Sequence, residues 1–259
     1  MPASSMRQHP SHSTYHRHIL SGRPHPLQKI DHLAVIMPFR RGQEICSQGE
    51  PADHWYFVMS GGARRCVFRP DGRRQIVDLL LPGDFFGLTA GEEYDSGVEA
   101  IAKETVLAAY PRRRVEMAAD SDPELARQIR QIAFEGISRL QAQLLLLGRI
   151  TAPEKIGSFI LEMAMRLSRG KDDSVALPIT RYDIAEYISV SVETVSRSLT
   201  DLKKRGLIKM SGTRMVKIIN RNALEERERP LTCPSRVLNC RLNREARAAP
   251  TALPVQQDG

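Results

Sequence analysis

Val192, Glu193, Ser196 and Arg197 lie within one short stretch, and each side chain can address the edge of a base pair. Arginine pairs with guanine, glutamate accepts from the cytosine amine, serine serves either role, and an apolar group meets the thymine methyl. If the stretch is helical, these four positions share its outward side. Ser191 is placed to cap that helix, because its hydroxyl can accept a free backbone N–H of the first turn. Glu193 then sits where the helix dipole favours an acid. No comparable set for catalysis exists: paired carboxylates, a nucleophile–base couple and a metal triad are all missing from the sequence, so an enzyme is not expected. The four cysteines at 46, 66, 233 and 240 have neither CxxC spacing nor a His/Cys cluster, so no metal site and no disulfide frame is expected. A reducing cytoplasm fits that usage.

These residues need a scaffold. Ile184, Ala185 and Ile188 fit one helical face, and Val192, Val195, Leu199 and Leu202 fit another after a short break. Two helices joined this way form a helix-turn-helix, with Ser189 at a turn position that often holds glycine. Behind it, Leu207–Met210 and Met215–Ile219 flank Ser211-Gly212, which reads as a β-hairpin wing carrying Lys209, Arg214 and Lys217. Thr180, Arg181, Ser191, Thr194, Lys203, Lys204 and Arg214 are the expected phosphate contacts, which fix register without choosing sequence. An amphipathic hairpin with a merely solvated polar face would look the same in isolation, so the flanking segments decide.

The chain has 259 residues and a net charge of +8, enough length for two modest cores. Residues 30–150 carry 15 basic and 17 acidic groups, whereas 151–229 carry 15 and 11, so the positive excess sits around the helix-turn-helix and in the tails. No stretch of eighteen apolar residues is present, and the basic N-terminus lacks an apolar core, so neither a membrane span nor a secretory signal is expected. Residues 1–29 are rich in His, Ser and Pro and read as a disordered basic tail. Its histidines, His9, His12, His16, His18 and His25, match no ligand spacing and are expected to be solvated. Residues 30–118 alternate short apolar runs (54–59, 65–68, 75–80 and 106–110) with turns such as Pro70-Asp71-Gly72 and Pro82-Gly83-Asp84. That spacing indicates an antiparallel sandwich or jelly roll, with Cys46 and Cys66 as packed core thiols. Residues 119–150 read as a long helix capped near Asp122-Pro123, and Ala133, Ile137, Leu140, Leu144 and Leu147 form a seam suited to pairing two copies. Residues 151–228 hold the winged helix-turn-helix, and 229–259 read as a poorly ordered tail. The fold class is therefore α+β.

This order of parts resembles the CRP/FNR superfamily of transcription regulators over about residues 30–224. Pro82-Gly83-Asp84-Phe85-Phe86-Gly87 in the roll and Val192-Glu193-Thr194-Val195-Ser196-Arg197 in the second helix carry the resemblance. It implies a cyclic-nucleotide-binding-like double-stranded β-helix as a sensor domain, a long dimerisation helix and a C-terminal winged helix-turn-helix. It also implies double-stranded DNA as ligand, a homodimer, and RNA polymerase as partner. Glu193, Ser196 and Arg197 would meet the TTGA half-site of a TTGAT…ATCAA palindrome, with Val192 separating FNR-type from CRP-type sites. Family members that bind a cyclic nucleotide follow the roll's Phe-Gly with Glu and later use Arg-Ser on the phosphate. Here Leu88-Thr89-Ala90 follows Gly87, and the later region reads Asp95-Ser96-Gly97-Val98, so cyclic AMP is not expected. Residues 1–45 contain no Cys, which argues against an iron–sulfur cluster. No cofactor is expected. The chain most resembles the FixK-like branch that lacks those cysteines, on the stretch Phe85–Glu93, implying an activator of microaerobic or nitrogen-fixation genes. A roll gated by haem or another small effector, serving a different regulon, is the alternative.

Overall fold

Short apolar runs between turns become, among the described residues, eight strands in the first half of the chain. They are β1 (Val35–Arg40), β2 (Glu44–Cys46), β3 (His54–Ser60), β4 (Ala63–Phe68), β5 (Arg74–Leu80), β6 (Phe85–Phe86), β7 (Gly97–Ala100) and β8 (Glu104–Pro111). A computed structural model describes residues 25–68, 72, 74–167 and 173–226 of the chain. Its strands form two antiparallel sheets, ordered β1-β8-β3-β6 and β2-β7-β4-β5. Between the sheets lie Val58, Leu80, Phe86, Val98 and Leu107, all buried; burying each such side chain stabilises the fold by about 1.5–3 kcal/mol. Two turns require glycine. A Cβ on Gly61 (φ +78°) would sit 2.4 Å from the Glu104 carbonyl oxygen, and one on Gly87 (φ +87°) would sit 2.7 Å from that of His54.

The four strands expected at 54–59, 65–68, 75–80 and 106–110 are present as β3, β4, β5 and β8. β1, β2, β6 and β7 are additional. One expectation needs correction: residues 25–29 are not tail. A 3-10 helix, Gln28–Leu33, inserts Leu27 and Ile30 against Trp55, Phe57 and Tyr110. His25 is likewise buried rather than solvated. It stacks on Phe57 with ring centroids 4.6 Å apart, and its Nε2 lies 3.1 Å from Asp31, whose carboxylate accepts from the Tyr110 hydroxyl at 2.9 Å. The readings made for residues 1–24, for Pro70-Asp71 and for 229–259 lie outside the described residues.

Helix α1 (Arg112–Ser121) follows β8 directly, and the boundary expected at 118/119 falls inside it. Helix α2 (Pro123–Leu147) starts as its sequence dictates: the Asp122 side chain accepts from the backbone N–H groups of Glu124 and Leu125, and Pro123 needs no donor there. α2 buries Leu125 and Ile132 against the roll and, further on, Gln143 and Leu146 against the C-terminal half. Helix α3 (Ala152–Leu167) leads to strand β9 (Ser174–Ala176), which is too short to show as a periodic pattern in the sequence. Helices α4 (Arg181–Ile188) and α5 (Val192–Lys204) come next. Strands β10 (Ile208–Ser211) and β11 (Met215–Ile218) then complete a three-stranded sheet, ordered β10-β11-β9, before α6 (Arg221–Glu226). β9 pairs with β11 because Val175 lies opposite Val216, joining both to the core beneath α5.

Candidate nucleic-acid interface

α4 begins with a capping box: the Thr180 hydroxyl accepts from the Asp183 N–H, and the Asp183 carboxylate accepts from the Thr180 N–H at 2.8 Å. It ends at Ser189, which adopts the left-handed conformation (φ 56°, ψ 55°) at the position where glycine is common. Ser191 then caps α5 by accepting from Thr194 N–H at 3.2 Å, as its sequence position suggested. Val195, Ser198, Leu199 and Leu202 are buried, which fixes the rotation of α5 and leaves the opposite side in solvent. On that side Glu193 and Arg197 are exposed, with Val192, Thr194 and Ser196 half-buried beside them.

The exposed side has defined electrostatics. The Glu193 carboxyl is held below its ordinary range by its own backbone N–H, then by the Ser191 hydroxyl, with the Arg197 charge one turn away adding to it. It therefore stays an acceptor through neutral pH, the form needed to receive an exocyclic amine. Lys203 and Lys204 are exposed at the C-terminal end of α5, where they also favour the helix dipole. In the wing, Lys209 lies directly opposite Lys217 across the hairpin, concentrating positive charge on one exposed face.

Several sequence-predicted residues are brought into direct contact. Arg181 donates to Ser196 Oγ at 3.2 Å, and the hydroxyls of Ser191 and Thr194 lie 3.0 Å apart. The Thr180 hydroxyl donates to Asp183 at 2.7 Å, so its proton is committed within the capping box. Arg214 is half-buried beside the hairpin turn, and its carbonyl accepts from Leu177 N–H at 2.9 Å, away from α5. Tyr182, 71% exposed in the first turn of α4, was not singled out from the sequence. Nothing in its spacing distinguishes it from a core tyrosine such as Tyr187.

On α2 the predicted seam divides. Ala133, Ile137, Leu140 and Leu144 are exposed and Leu147 is half-buried, while Phe134 and Leu145 join the exposed stripe without having been predicted. Leu146, inside the four-leucine run, points inward instead. A seam drawn in three- and four-residue steps omits neighbours such as 133/134 and 144/145, which share a broad stripe.

The roll has a small hollow where Phe86, Gly87, Tyr94, Asp95, Ser96 and Arg65 meet, with room for about one water molecule. Arg65 places a cation there that motif reading had not anticipated. Even so, Asp95 turns its carboxylate to the Ser96 hydroxyl at 2.9 Å, and the space is far smaller than a nucleotide, so these residues do not fit a cyclic nucleotide. Burial pushes the nearby Cys46 thiol up to about 12 and that of Cys66 up to about 11, leaving both protonated at neutral pH. Among the described residues, no helix is long and apolar enough to cross a membrane.

Comparison with known proteins agrees with this arrangement. Residues 154–227 match the Crp-like helix-turn-helix domain, and residues 36–122 match the cyclic nucleotide-binding domain. The chain is 40% identical over 202 residues to the nitrogen fixation regulation protein FixK of Azorhizobium caulinodans, covering 77% of this chain and 81% of that protein. It is 37% identical to FixK of Rhizobium meliloti over 190 residues, 73% and 85% of the two chains. Its fold is similar to the solved structure of FixK2 from Bradyrhizobium japonicum, with a TM-score of 0.72 and 36% identity over 77% of this chain and 99% of that one.

Proposed function

We infer, from the premise that this chain belongs to the CRP/FNR family of DNA-binding transcription regulators, that it works as a homodimeric activator reading an FNR-type TTGAT…ATCAA palindrome. The family is one of regulators rather than enzymes. The observation that carries the finer reading is the exposed side of α5, where an ionised Glu193 lies one turn from Arg197 with Ser196 and Val192 beside them. Arg197 and Glu193 are suited to one G·C pair, with the arginine on guanine and the carboxylate on the cytosine amine; Ser196 and Val192 suit the neighbouring A·T pairs. Lys203, Lys204, Arg214, Thr194, Ser191 and the start of α4 at Thr180 and Arg181 are suited to phosphate.

The exposed stripe Phe134, Ile137, Leu140, Leu144 and Leu145 supports pairing through α2, because so continuous an apolar face is costly to leave in water. Such a pair presents its α5 helices about one DNA turn (~34 Å) apart. Once bound, the dimer recruits RNA polymerase in the cytoplasm, and the named FixK relatives support nitrogen-fixation or microaerobic genes as its targets. Selection of binding sites from random duplex DNA tests this reading. Enrichment of the palindrome supports it, and enrichment of an asymmetric or unrelated sequence overturns it.

A further inference from the structure

The last three carbonyls of α4 are each caught by a side chain from a different part of the fold. Gln75 of β5 donates to the Glu186 carbonyl at 2.7 Å, Gln143 of α2 donates to that of Tyr187 at 2.7 Å, and Lys155 of α3 reaches that of Ile188 at 3.5 Å. Carbonyls at a helix end lack partners in their own helix, and water satisfies them when nothing else does. Here the roll, the long helix and α3 supply the partners instead, and Gln143 is itself buried to do so.

The acidic side of α4 is tied to the roll as well. Arg74 holds the Glu186 carboxylate through two hydrogen bonds, at 3.0 and 3.1 Å. Arg64 meets Asp183 while also binding Glu99 at 2.9 Å, and Glu99 lies 3.4 Å from Arg74. Asp183, Arg64, Glu99, Arg74 and Glu186 thus form one chain of charge from the first turn of α4 to its last. α5 starts directly after the turn Ser189-Val190-Ser191, so whatever fixes α4 also fixes α5.

We propose that this clamp on α4, with Gln143 and Gln75 as its central positioning residues, sets which half-site separation the protein accepts. The inference rests on the dimeric reading above. In a symmetric pair joined along α2, the path from one reader helix to the other runs α5–α4–Gln143–α2 and back through the second copy. Adding one base pair between half-sites moves one of them by about 3.4 Å and turns it by about 34–36°. A rigid path rejects that change; a loosened path follows it. The clamp therefore contributes specificity for spacing, while Glu193, Ser196 and Arg197 read the letters.

The test uses the full chain with Gln143→Met and Gln75→Met, separately and together. Methionine keeps the length and apolar stem while removing the amide, and with it the donor to the α4 carbonyl. Affinity is measured on the selected palindrome, on versions with one base pair added to or removed from the spacer, and on a single half-site. The native chain is expected to prefer the matched spacer by about ten-fold or more, and the double variant by about three-fold or less, the size of coupling seen within one hydrogen-bond network. Single half-site affinity is expected to stay near native, and unfolding to remain one cooperative transition with a lowered midpoint, which a general loss of folding would not allow. If the native chain selects one spacer and the double variant selects it equally well, the inference is overturned and the dimeric reading stands. If the native chain ignores the palindrome altogether, the dimeric reading fails first and takes the inference with it.

Discussion

The guanidinium of Arg181, at the start of α4, donates a hydrogen bond to Ser196 Oγ on α5 at 3.2 Å. The sequence suggested separate roles for these two residues, one on phosphate and one on a base, yet the fold couples them. With the arginine on its oxygen, the serine hydroxyl is left to donate outward, which suits an acceptor on a base edge. Arg181→Met should therefore weaken discrimination most at the base pair that Ser196 meets. Its effect should shrink in a Ser196→Ala background, with a coupling of about 0.5–3 kcal/mol in a double-mutant cycle of duplex affinities. Strict additivity of the two substitutions would contradict the coupling.

Ser189 holds a left-handed conformation that glycine adopts without steric cost, and among the described residues its hydroxyl makes a single long contact, at 3.4 Å with Gln75. Ser189→Gly should leave DNA affinity unchanged and stabilise the chain by about 0.5–1 kcal/mol, since relief of the left-handed penalty outweighs glycine's entropy. A rise in the thermal midpoint checks this. Ser189→Val should lower the midpoint, because a branched side chain is least compatible with that backbone.

The apolar stripe on α2 makes a prediction about assembly. Ile137 and Leu144 are 50% and 68% exposed in the single chain, so charged replacements do not disturb its own core. Ile137→Glu with Leu144→Glu should give a folded monomer in sedimentation and weaken palindrome binding by about ten-fold or more, as expected for central residues of an interface. A variant that still sediments as a dimer would place the contact elsewhere.

The thiols give an independent check on the roll. In a Cys233→Ser, Cys240→Ser background, Cys46 and Cys66 are the remaining cysteines. Burial raises both, so the protonated thiols are favoured by folding below their unfolded value of about 9, and that contribution is lost as pH rises towards the raised values. At pH 8 neither should react with a soluble disulfide reagent until the chain unfolds. Prompt reaction of either in the native state would show that the roll opens.

Much of the interface is legible because its signals are local. The Ser191 cap, the Asp122-Pro123 start of α2 and the Ser211-Gly212 hairpin each follow from neighbours in the chain, and the structure shows all of them. What the sequence concealed is long-range. Leu27 and His25 sit in a polar, proline-rich stretch, and only contact with Trp55, Phe57 and Tyr110 draws them into the core. Gln143 looks like a solvated helix residue until Tyr187 is placed beside it, 44 positions away in sequence. β6, two residues long, and β9, three residues long, are too short to show periodicity; each exists because a neighbouring strand offers free backbone groups.

The central claim is that the outward side of α5 reads base edges as one half of a symmetric pair. Equilibrium titration at fixed moderate salt, comparing the intact palindrome, one with a single half scrambled, and one with the G·C pair of each half replaced, measures it most directly. The account predicts binding to the intact palindrome at least ~10³-fold tighter than to random duplex, with a marked loss when either half is scrambled. It also predicts that Arg197→Ala costs ~1–3 kcal/mol on the intact site and relaxes preference at that G·C pair alone. Equal affinity for all the duplexes, or an Arg197→Ala loss as large on random DNA as on the palindrome, would contradict it.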